Sequence, residues 1–470
     1  GSYSKIGDNV KLDNSIVCRN SGLSKGVECD KMTVIGAQTR IGENTIVKEK
    51  VKIWDGKRIS PNITVSTDVK EYSDGEICFD EDGIFSDISG IITPMMASVF
   101  GAAAGTSLKK GESVAVGYSG VNIASRALAK ALASGVSSSG VKVWWLGNCC
   151  ENQVFFSMKQ AMSRLGIIVS SDYSASIKVF AEGGLPLTRQ QERDMEKAIN
   201  SHSYRQVNFD DFGDIQDGKS LKGLYVEQLL RILPDKFNGI NIRVRTTNPE
   251  IAQIADKLFY PRNDLSGQEI TVHINPDGRS CSAYTEKTGY VFHEKLVMAA
   301  AKDNFAMDYP VAVPYTFPDA INEYANKSQG TVLRYYHCPS DNSDLLSRAN
   351  AVHDYNIFVR DALCLTARLG AMLSRDKKSL GRLLSDVPEF YSSQRFIAVN
   401  GSTANVLKEI KDGDQKSKEG IVWKTPTSRA IVRPLKSGKG LMIFAEGFKA
   451  EIATLLCDDI EKKIKNIDNK

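Results

Sequence analysis

The chain has 470 residues, 42% of them hydrophobic and 25% charged, and its 60 Lys and Arg against 56 Asp and Glu leave a formal net charge of +4. That composition suits a water-soluble globular chain of roughly three to five domains, and no stretch is long and basic enough for a nucleic-acid footprint. No apolar run reaches the roughly 18 residues that would cross a bilayer. The nine cysteines are scattered without a CxxC pair and read as reduced thiols of a cytoplasmic protein.

The chain opens on a repeat. Small or aliphatic apolar residues recur every six positions at Val17, Leu23, Cys29, Ile35, Ile41, Val47, Ile53, Ile59 and Val65. A period of six fits neither a helix nor a simple hairpin. It fits a hexapeptide coil in which each hexad supplies one side of a triangle and each rung needs a neighbour above and below. The register is off at Ile6 and Leu12, and Gly1-Ser2 looks like a cloning remnant, so an upstream segment is expected. Residues 67–82 are polar and acidic and read as a solvated linker.

An α/β layer follows. Ser113-Val-Ala-Val-Gly117 and Val141-Lys-Val-Trp-Trp-Leu146 read as buried parallel strands, with helices over Asn122–Ser139 and up to about Leu165. Ile167–Val169 is the third strand of this βαβαβ layer, whose crossovers should be right-handed. Ligands of such layers sit at the carboxyl ends of strands, which singles out Ser119 and Ser170–Tyr173. The helix 189–199 and a bridging helix 224–233 lead to a second layer with strands 240–245 and 270–274, the helix 249–258 and a hairpin 281–292. A third layer has strands 311–313 and 331–336 and helices 318–327 and 356–373. The chain ends in a smaller α+β unit with strands 397–399, 421–424, 430–432 and 441–445 and a helix 450–464.

Three α/β layers and a final α+β unit resemble the α-D-phosphohexomutase family, the phosphomannomutases and phosphoglucomutases. The stretches that carry the resemblance are Gly83-Ile-Phe85 with Ile92-Thr-Pro94, Val114–Gly147, Ile177-Lys-Val-Phe180 with Gly184-Leu-Pro-Leu187, Asn275–Arg279, and Arg433-Pro434 with Phe444-Ala-Glu446. The hexad repeat resembles left-handed β-helix domains. Coil and mutase-like region together resemble long-form mannose-1-phosphate guanylyltransferase-like proteins without their nucleotidyltransferase head. The implied architecture is α/β: a left-handed β-helix over 1–66, a linker over 67–82, mutase-like domains at 83–222, 223–306 and 307–395, and a C-terminal α+β domain at 396–470.

The resemblance also implies four loops around one cleft. A phosphoserine loop, usually Thr-Ala-Ser-His-Asn-Pro, is matched by Val169-Ser-Ser-Asp-Tyr-Ser-Ala-Ser-Ile-Lys178, where Ser170 or Ser171 is either a nucleophile or the cap of a strand-to-helix turn. The sequence favours the cap. A magnesium loop with three aspartates is matched by Asn275-Pro-Asp277-Gly-Arg279, whose single carboxylate makes a poor octahedral cage and suggests a tight turn. The sugar-reading loop Gly-Glu-x-Ser-Gly-His has no counterpart between residues 336 and 356. The phosphate loop survives in altered form as Arg433-Pro-Leu-Lys436-Ser437-Gly438-Lys439-Gly440, either an anion grip or a solvated basic turn. Ser119, Lys178 and Arg279 complete the expected cleft.

These departures lead to an expectation of a silent mutase-like region, the C-terminal part of a sugar-phosphate nucleotidyltransferase-like protein. Its role would be oligomerisation or the binding of a sugar phosphate or nucleotide effector, with no cofactor, and the coil suggests a homo-oligomer. The alternative is an active phosphohexomutase that interconverts hexose 1- and 6-phosphates through a phosphoserine and uses Mg²⁺.

Overall fold

The computed structural model describes residues 1–37, 39–54, 58–59, 64–65, 68–69, 79, 84–85, 92–171, 175–337, 355–399, 403–410, 415–417, 420–425, 427–435 and 440–468. The chain divides into two compact units, one of residues 1–77 with 87–91 and one of residues 78–86 with 92–470.

In the first unit, two-residue strands form three parallel sheets, and the chain passes through the three in turn before returning to the first. Ile16 pairs with Val34, and Val34 with Lys52, three hexads on. Ile6 and Leu12 belong to the same sheets, paired with Leu23 and Cys29. Their register looked broken because the step from Leu12 to Val17 is one residue short. The corners explain the period. Tyr3, Asn9, Asn14, Asn20, Gly26, Met32, Asn44 and Lys50 all have φ between 46° and 72°, one per turn of the pattern, with the same short step between Asn9 and Asn14. Asn and Gly recur there because they tolerate the left-handed conformation. The repeating apolar residues point inward: Ile35, Ile41, Val47 and Ile53 are fully buried. Ile6 and Leu12 are exposed.

The second unit opens with a six-stranded sheet in the order Ile84–Phe85, Ser176–Phe180, Leu165–Ser170, Ser113–Tyr118, Lys142–Asn148, Ile215–Asp217. The βαβαβ core is parallel as expected, and Ser176–Phe180 pairs antiparallel with Leu165–Ser170. The turn after Ser170 therefore leads into a strand of a hairpin, a correction to the strand-to-helix cap. The β-branched and aromatic run Ile177-Lys-Val-Phe180 is the reason. The polar stretch 201–222 holds the edge strand Ile215–Asp217, and the helix that follows spans Lys219–Leu230. The expected linker 67–82 is not simply solvated. Val69 is buried in the apolar core of the first unit, and Phe79 is buried in the second unit, edge-on to Phe100 at 6.0 Å. Two glycines let the helices Pro94–Thr106 and Ile123–Ser138 approach closely. A Cβ at Gly101 would lie 2.1 Å from the Leu132 carbonyl oxygen, and one at Gly135 1.9 Å from that of Ser98.

Next comes a four-stranded sheet, Ile240–Arg245, Gln268–Ile274, Cys281–Thr285 and Gly289–Val291, whose first pair is parallel and the rest antiparallel. It shares one apolar core with the two-stranded parallel sheet Val311–Pro314 and Val332–Tyr335 and the helices His293–Phe305 and Ala362–Asp376. The expected helix 356–373 is a short 3₁₀ turn, Ile357–Val359, and then the helix Ala362–Asp376.

The last element is a five-stranded antiparallel sheet in the order Tyr391–Ala398, Gly440–Gly447, Ser428–Pro434, Gly420–Lys424, Gln415–Ser417, with its own core under the helix Ala450–Asp468. The strand Tyr391–Ala398 crosses the domain boundary expected at 395–396. Asp319 staples this sheet to the preceding layer. Its carboxylate meets Arg429 at 3.1 Å, Arg334 at 3.0 Å and Lys424 at 2.7 Å. Glu446 accepts from the backbone N–H of Asp319 and Ala320. Burial opposes the Asp319 charge, but the Lys424 hydrogen bond and the two guanidinium groups outweigh it and hold the carboxyl below its ordinary range. Among the described residues no helix is long and apolar enough to cross a membrane.

Candidate functional site

The strands Ser113–Tyr118 and Leu165–Ser170 lie side by side, and their carboxyl ends are tied by Ser119 N–H donating to the Val169 carbonyl at 2.9 Å.

Alternation along the hairpin separates the two candidate serines. Ile168, Ser170, Ser176, Lys178 and Phe180 share one face, and Ile168 and Phe180 pack with Val154 and Met158 of the helix Glu151–Gln160. On that face the Ser170 and Ser176 hydroxyls lie 2.7 Å apart. Ser171 faces the other way. Its hydroxyl meets Ser125 Oγ at 2.6 Å, and its carbonyl accepts from Asn122 Nδ2 at 3.2 Å, over the N-terminus of Ile123–Ser138.

Lys178 reaches the start of the helix Glu151–Gln160, where its Nζ donates to Glu151 Oε1 at 2.9 Å. Both side chains are nearly buried, 11% and 9% exposed. The other Glu151 oxygen lies 3.9 Å from Arg279 Nε and accepts no hydrogen bond. Burial raises the Glu151 carboxyl above its ordinary range, against the pull of Lys178 and Arg279. Two cations and a second carboxylate, Asp277, thus gather around one carboxylate at a helix N-terminus.

Asn275–Ser280 is a hairpin turn. Gly278 sits at φ 76°, its N–H donates to the Asn275 carbonyl, and Asp277 Oδ1 accepts from Arg279 N–H at 2.9 Å. Three groups outside the turn grip it: Asn248 Nδ2 of the same layer donates to the Pro276 carbonyl at 2.8 Å, Asn152 Nδ2 to that of Gly278 at 2.8 Å, and Ala362 N–H to the same oxygen at 2.9 Å. Asn248 Nδ2 also reaches Ser119 Oγ at 3.4 Å.

The structure therefore brings Lys178, Asp277 and Arg279 together around Glu151, sets Ser170 on the Lys178 face, and links Ser119 to the 275–280 turn. Ser171 faces the opposite side of the sheet. Arg433 stacks over the Phe444 ring at 5.5 Å, and Gly440 begins the adjacent strand, its carbonyl accepting from Leu435 N–H across the hairpin. Lys436, Ser437, Gly438 and Lys439 lie outside the described residues, as do 338–354, where the sugar-reading loop was sought. Glu151, Asn152 and Asn248 escaped the sequence reading. Their signal is their place, since Glu151 and Asn152 follow the carboxyl end of the parallel strand Lys142–Asn148. No group of three or more His, Cys, Asp or Glu able to hold a metal exists among the described residues. Asp277 is bonded within its own turn and Glu151 is engaged by Lys178, so the residues present do not fit a three-carboxylate magnesium cage.

Residues 76–206 match the family model "Phosphoglucomutase/phosphomannomutase, alpha/beta/alpha domain I". The chain is 27% identical over 175 residues to the phosphoglucosamine mutase of Thermodesulfovibrio yellowstonii, covering 36% of this chain and 38% of that one. With the phosphoglucosamine mutase of Methylobacterium nodulans it is 26% identical over 210 residues, 43% and 46% of the two chains. It thus spans less than half the length of these relatives. Among solved structures, a phosphoglucomutase/phosphomannomutase family protein from Burkholderia thailandensis superposes with TM-score 0.66 at 15% identity over 84% of this chain and 98% of that one. The phosphoglucomutase pp63/parafusin of Paramecium, in its open form, gives 0.54 at 12% identity over 84% and 95%. The fold of the larger unit is that of the phosphohexomutases.

These findings overturn the expectation of a silent C-terminal part of a nucleotidyltransferase. The relatives are mutases, and the mutase fold covers most of the chain. Four altered loops say less about the chain than its scaffold does, and Lys178 and Arg279 meet at one buried carboxylate that no local motif marks.

Proposed function

We propose that the chain is an active phosphohexomutase that moves a phosphoryl group between the 1- and 6-positions of a hexose phosphate, with Ser170 as the phosphoryl carrier. The observation that carries this is the Ser170 hydroxyl on the face of its hairpin that also bears Lys178, with Arg279 across Glu151. The Oγ–P bond at Ser170 breaks as a P–O bond to a sugar hydroxyl forms, and the serine oxygen takes up the proton that hydroxyl releases. The second half-reaction returns phosphate to Ser170 from the other end of the sugar. Lys178 and Arg279 neutralise the phosphoryl oxygens, and Glu151 positions both cations; such preorganised charge supplies most of the catalysis of phosphoryl transfer. No step is routed through magnesium, whose usual cage the residues present do not build. Arg433, Lys436, Ser437, Gly438, Lys439 and Gly440 would hold the phosphate that is not being transferred. The likeness to phosphoglucosamine mutases makes glucosamine phosphate the first sugar to try.

The test is ³¹P NMR of glucosamine 6-phosphate, mannose 1-phosphate and glucose 1-phosphate incubated with the chain and a trace of the matching 1,6-bisphosphate. One of the three should interconvert, mass spectrometry should find phosphate on Ser170, and Ser170→Ala should reduce turnover to background. Phosphate on Ser171 would transfer the role to that residue, and no turnover of any of the three would refute the proposal.

For the smaller unit we infer a left-handed β-helix that mediates homo-oligomerisation. Support comes from the hexad period, the three parallel sheets and the left-handed corners that recur among the described residues between Tyr3 and Lys50. Sedimentation of the chain with and without residues 1–77 tests it, and an unchanged mass per particle would refute it.

A further inference from the structure

Among the described residues, the side-chain group within hydrogen-bond distance of Ser170 Oγ is the hydroxyl of Ser176, at 2.7 Å. The neighbouring polar groups are engaged elsewhere, Lys178 Nζ with Glu151 and Ser125 Oγ with Ser171. The backbone holds the two hydroxyls together. Ser170 and Ser176 are directly opposed in the antiparallel pair Leu165–Ser170 and Ser176–Phe180. Direct opposition keeps two Cβ atoms within roughly 4.5–5.5 Å, and a slip of one residue would turn either side chain to the other face. Val169 and Ile177, which pair next in the ladder, are fully buried on that other face and pin the register.

In the unmodified chain either hydroxyl can be the donor. A phosphoryl group on Ser170 removes the choice. The ester oxygen then carries no hydrogen and can only accept, so Ser176 donates to the atom whose bond to phosphorus is to break. Charge builds on that atom as the phosphoryl group leaves through a loose transition state. A donor already aimed at it lowers the barrier without reorganisation. The pair is part-buried, which strengthens such a bond relative to one in water.

We propose that Ser176 is a catalytic residue of phosphoryl transfer, its hydroxyl donating to Ser170 Oγ and stabilising the charge which that oxygen gains. The inference rests on Ser170 as the phosphoryl carrier. The electron pair of the Oγ–P bond stays on Ser170 Oγ, and the sugar oxygen supplies the pair of the new P–O bond. The proton lost by the sugar hydroxyl ends on Ser170, and Ser176 keeps its own. The return half-reaction passes through the same kind of transition state and gains from the same bond. Work is thus divided on one face of the hairpin: Lys178 for the outer phosphoryl oxygens, Ser176 for the bridging one.

The test compares Ser176→Thr with Ser176→Val, which share a shape and a preference for strands but differ in the hydroxyl. The full chain is phosphorylated from glucose 1,6-bisphosphate and mixed with the hexose phosphate that the wild type turns over. Rapid-quench mass spectrometry follows the phosphate on Ser170. Transfer should slow about 100-fold in the valine variant, the lower end of what losing one donor to a developing oxyanion costs, and KM should stay unchanged. The threonine variant should remain within about fivefold of the wild type, since its hydroxyl can make the same bond. Ser176→Ala, free of the added methyl groups, should match the valine variant. Equal rates in the threonine and valine variants, with Ser170 still phosphorylated, would refute the role of Ser176 and leave the carrier standing. A wild type whose Ser170 never takes up phosphate, or one that carries it on Ser176, would overturn the carrier and this inference together.

Discussion

Asp361 offers the sharpest test of the electrostatics inferred for the interior of the larger unit. It caps the helix Ala362–Asp376: Oδ1 accepts from Cys364 N–H and Asn152 Nδ2, both at 2.9 Å, and Oδ2 from the Tyr225 hydroxyl at 2.9 Å. It is 3% exposed. Burial pushes its carboxyl from 3.8 up to about 6, outweighing the donors and the Arg360 charge that favour ionisation. Between those two values the folded chain holds a proton that the unfolded chain has lost. Stability therefore falls as pH rises through this window and levels off above about pH 6. A shift of about 2 units corresponds to roughly 3 kcal/mol. Asp361→Asn removes the titration while keeping an oxygen for the Cys364 N–H, and the Tyr225 hydroxyl can rotate to accept from the new amide. Urea unfolding of both proteins from pH 4 to pH 7 should show them close at the acid end and the variant more stable by about 3 kcal/mol at the neutral end. Other carboxyls raised by burial, such as Glu151 and Glu446, titrate in both proteins and cancel in the difference. A difference that stays flat, or in which the wild type gains with rising pH, would refute the reasoning.

Three further outcomes are expected. Glu151→Gln keeps the shape but removes the charge that orients Lys178 and Arg279, so kcat should fall about 10- to 100-fold with the fold intact by circular dichroism. Gly135→Ala drives a methyl group to 1.9 Å from the Ser98 carbonyl oxygen, and thermal or urea unfolding should register a loss of about 3 kcal/mol as the helix pair separates. Ile35→Ala empties a fully buried position in the smaller unit and should cost about 2–5 kcal/mol, read from the unfolding of residues 1–77 by hydrogen exchange.

The sequence was most informative where the physics is local. The hexad period, the parallel strands of the first layer and most of the helices were legible because inward residues, left-handed corners and helix caps recur at fixed short spacings. Local patterns misled where a neighbour in space decided the outcome. Ser170 and Ser171 are adjacent and chemically alike, yet one faces Lys178 and the other Ser125, because pairing with Ser176–Phe180 fixes which side each takes. Nothing near Asn275–Arg279 in the chain announced that Arg279 would meet Glu151, or that Asn152 would hold the carbonyl of Gly278, 126 positions away, and Asp361, 209 positions away. Cations, carboxylates and amides carry no periodicity of their own. Only the packing of layers determines which of them share a low-dielectric pocket, and it is that sharing which gives these residues their chemistry.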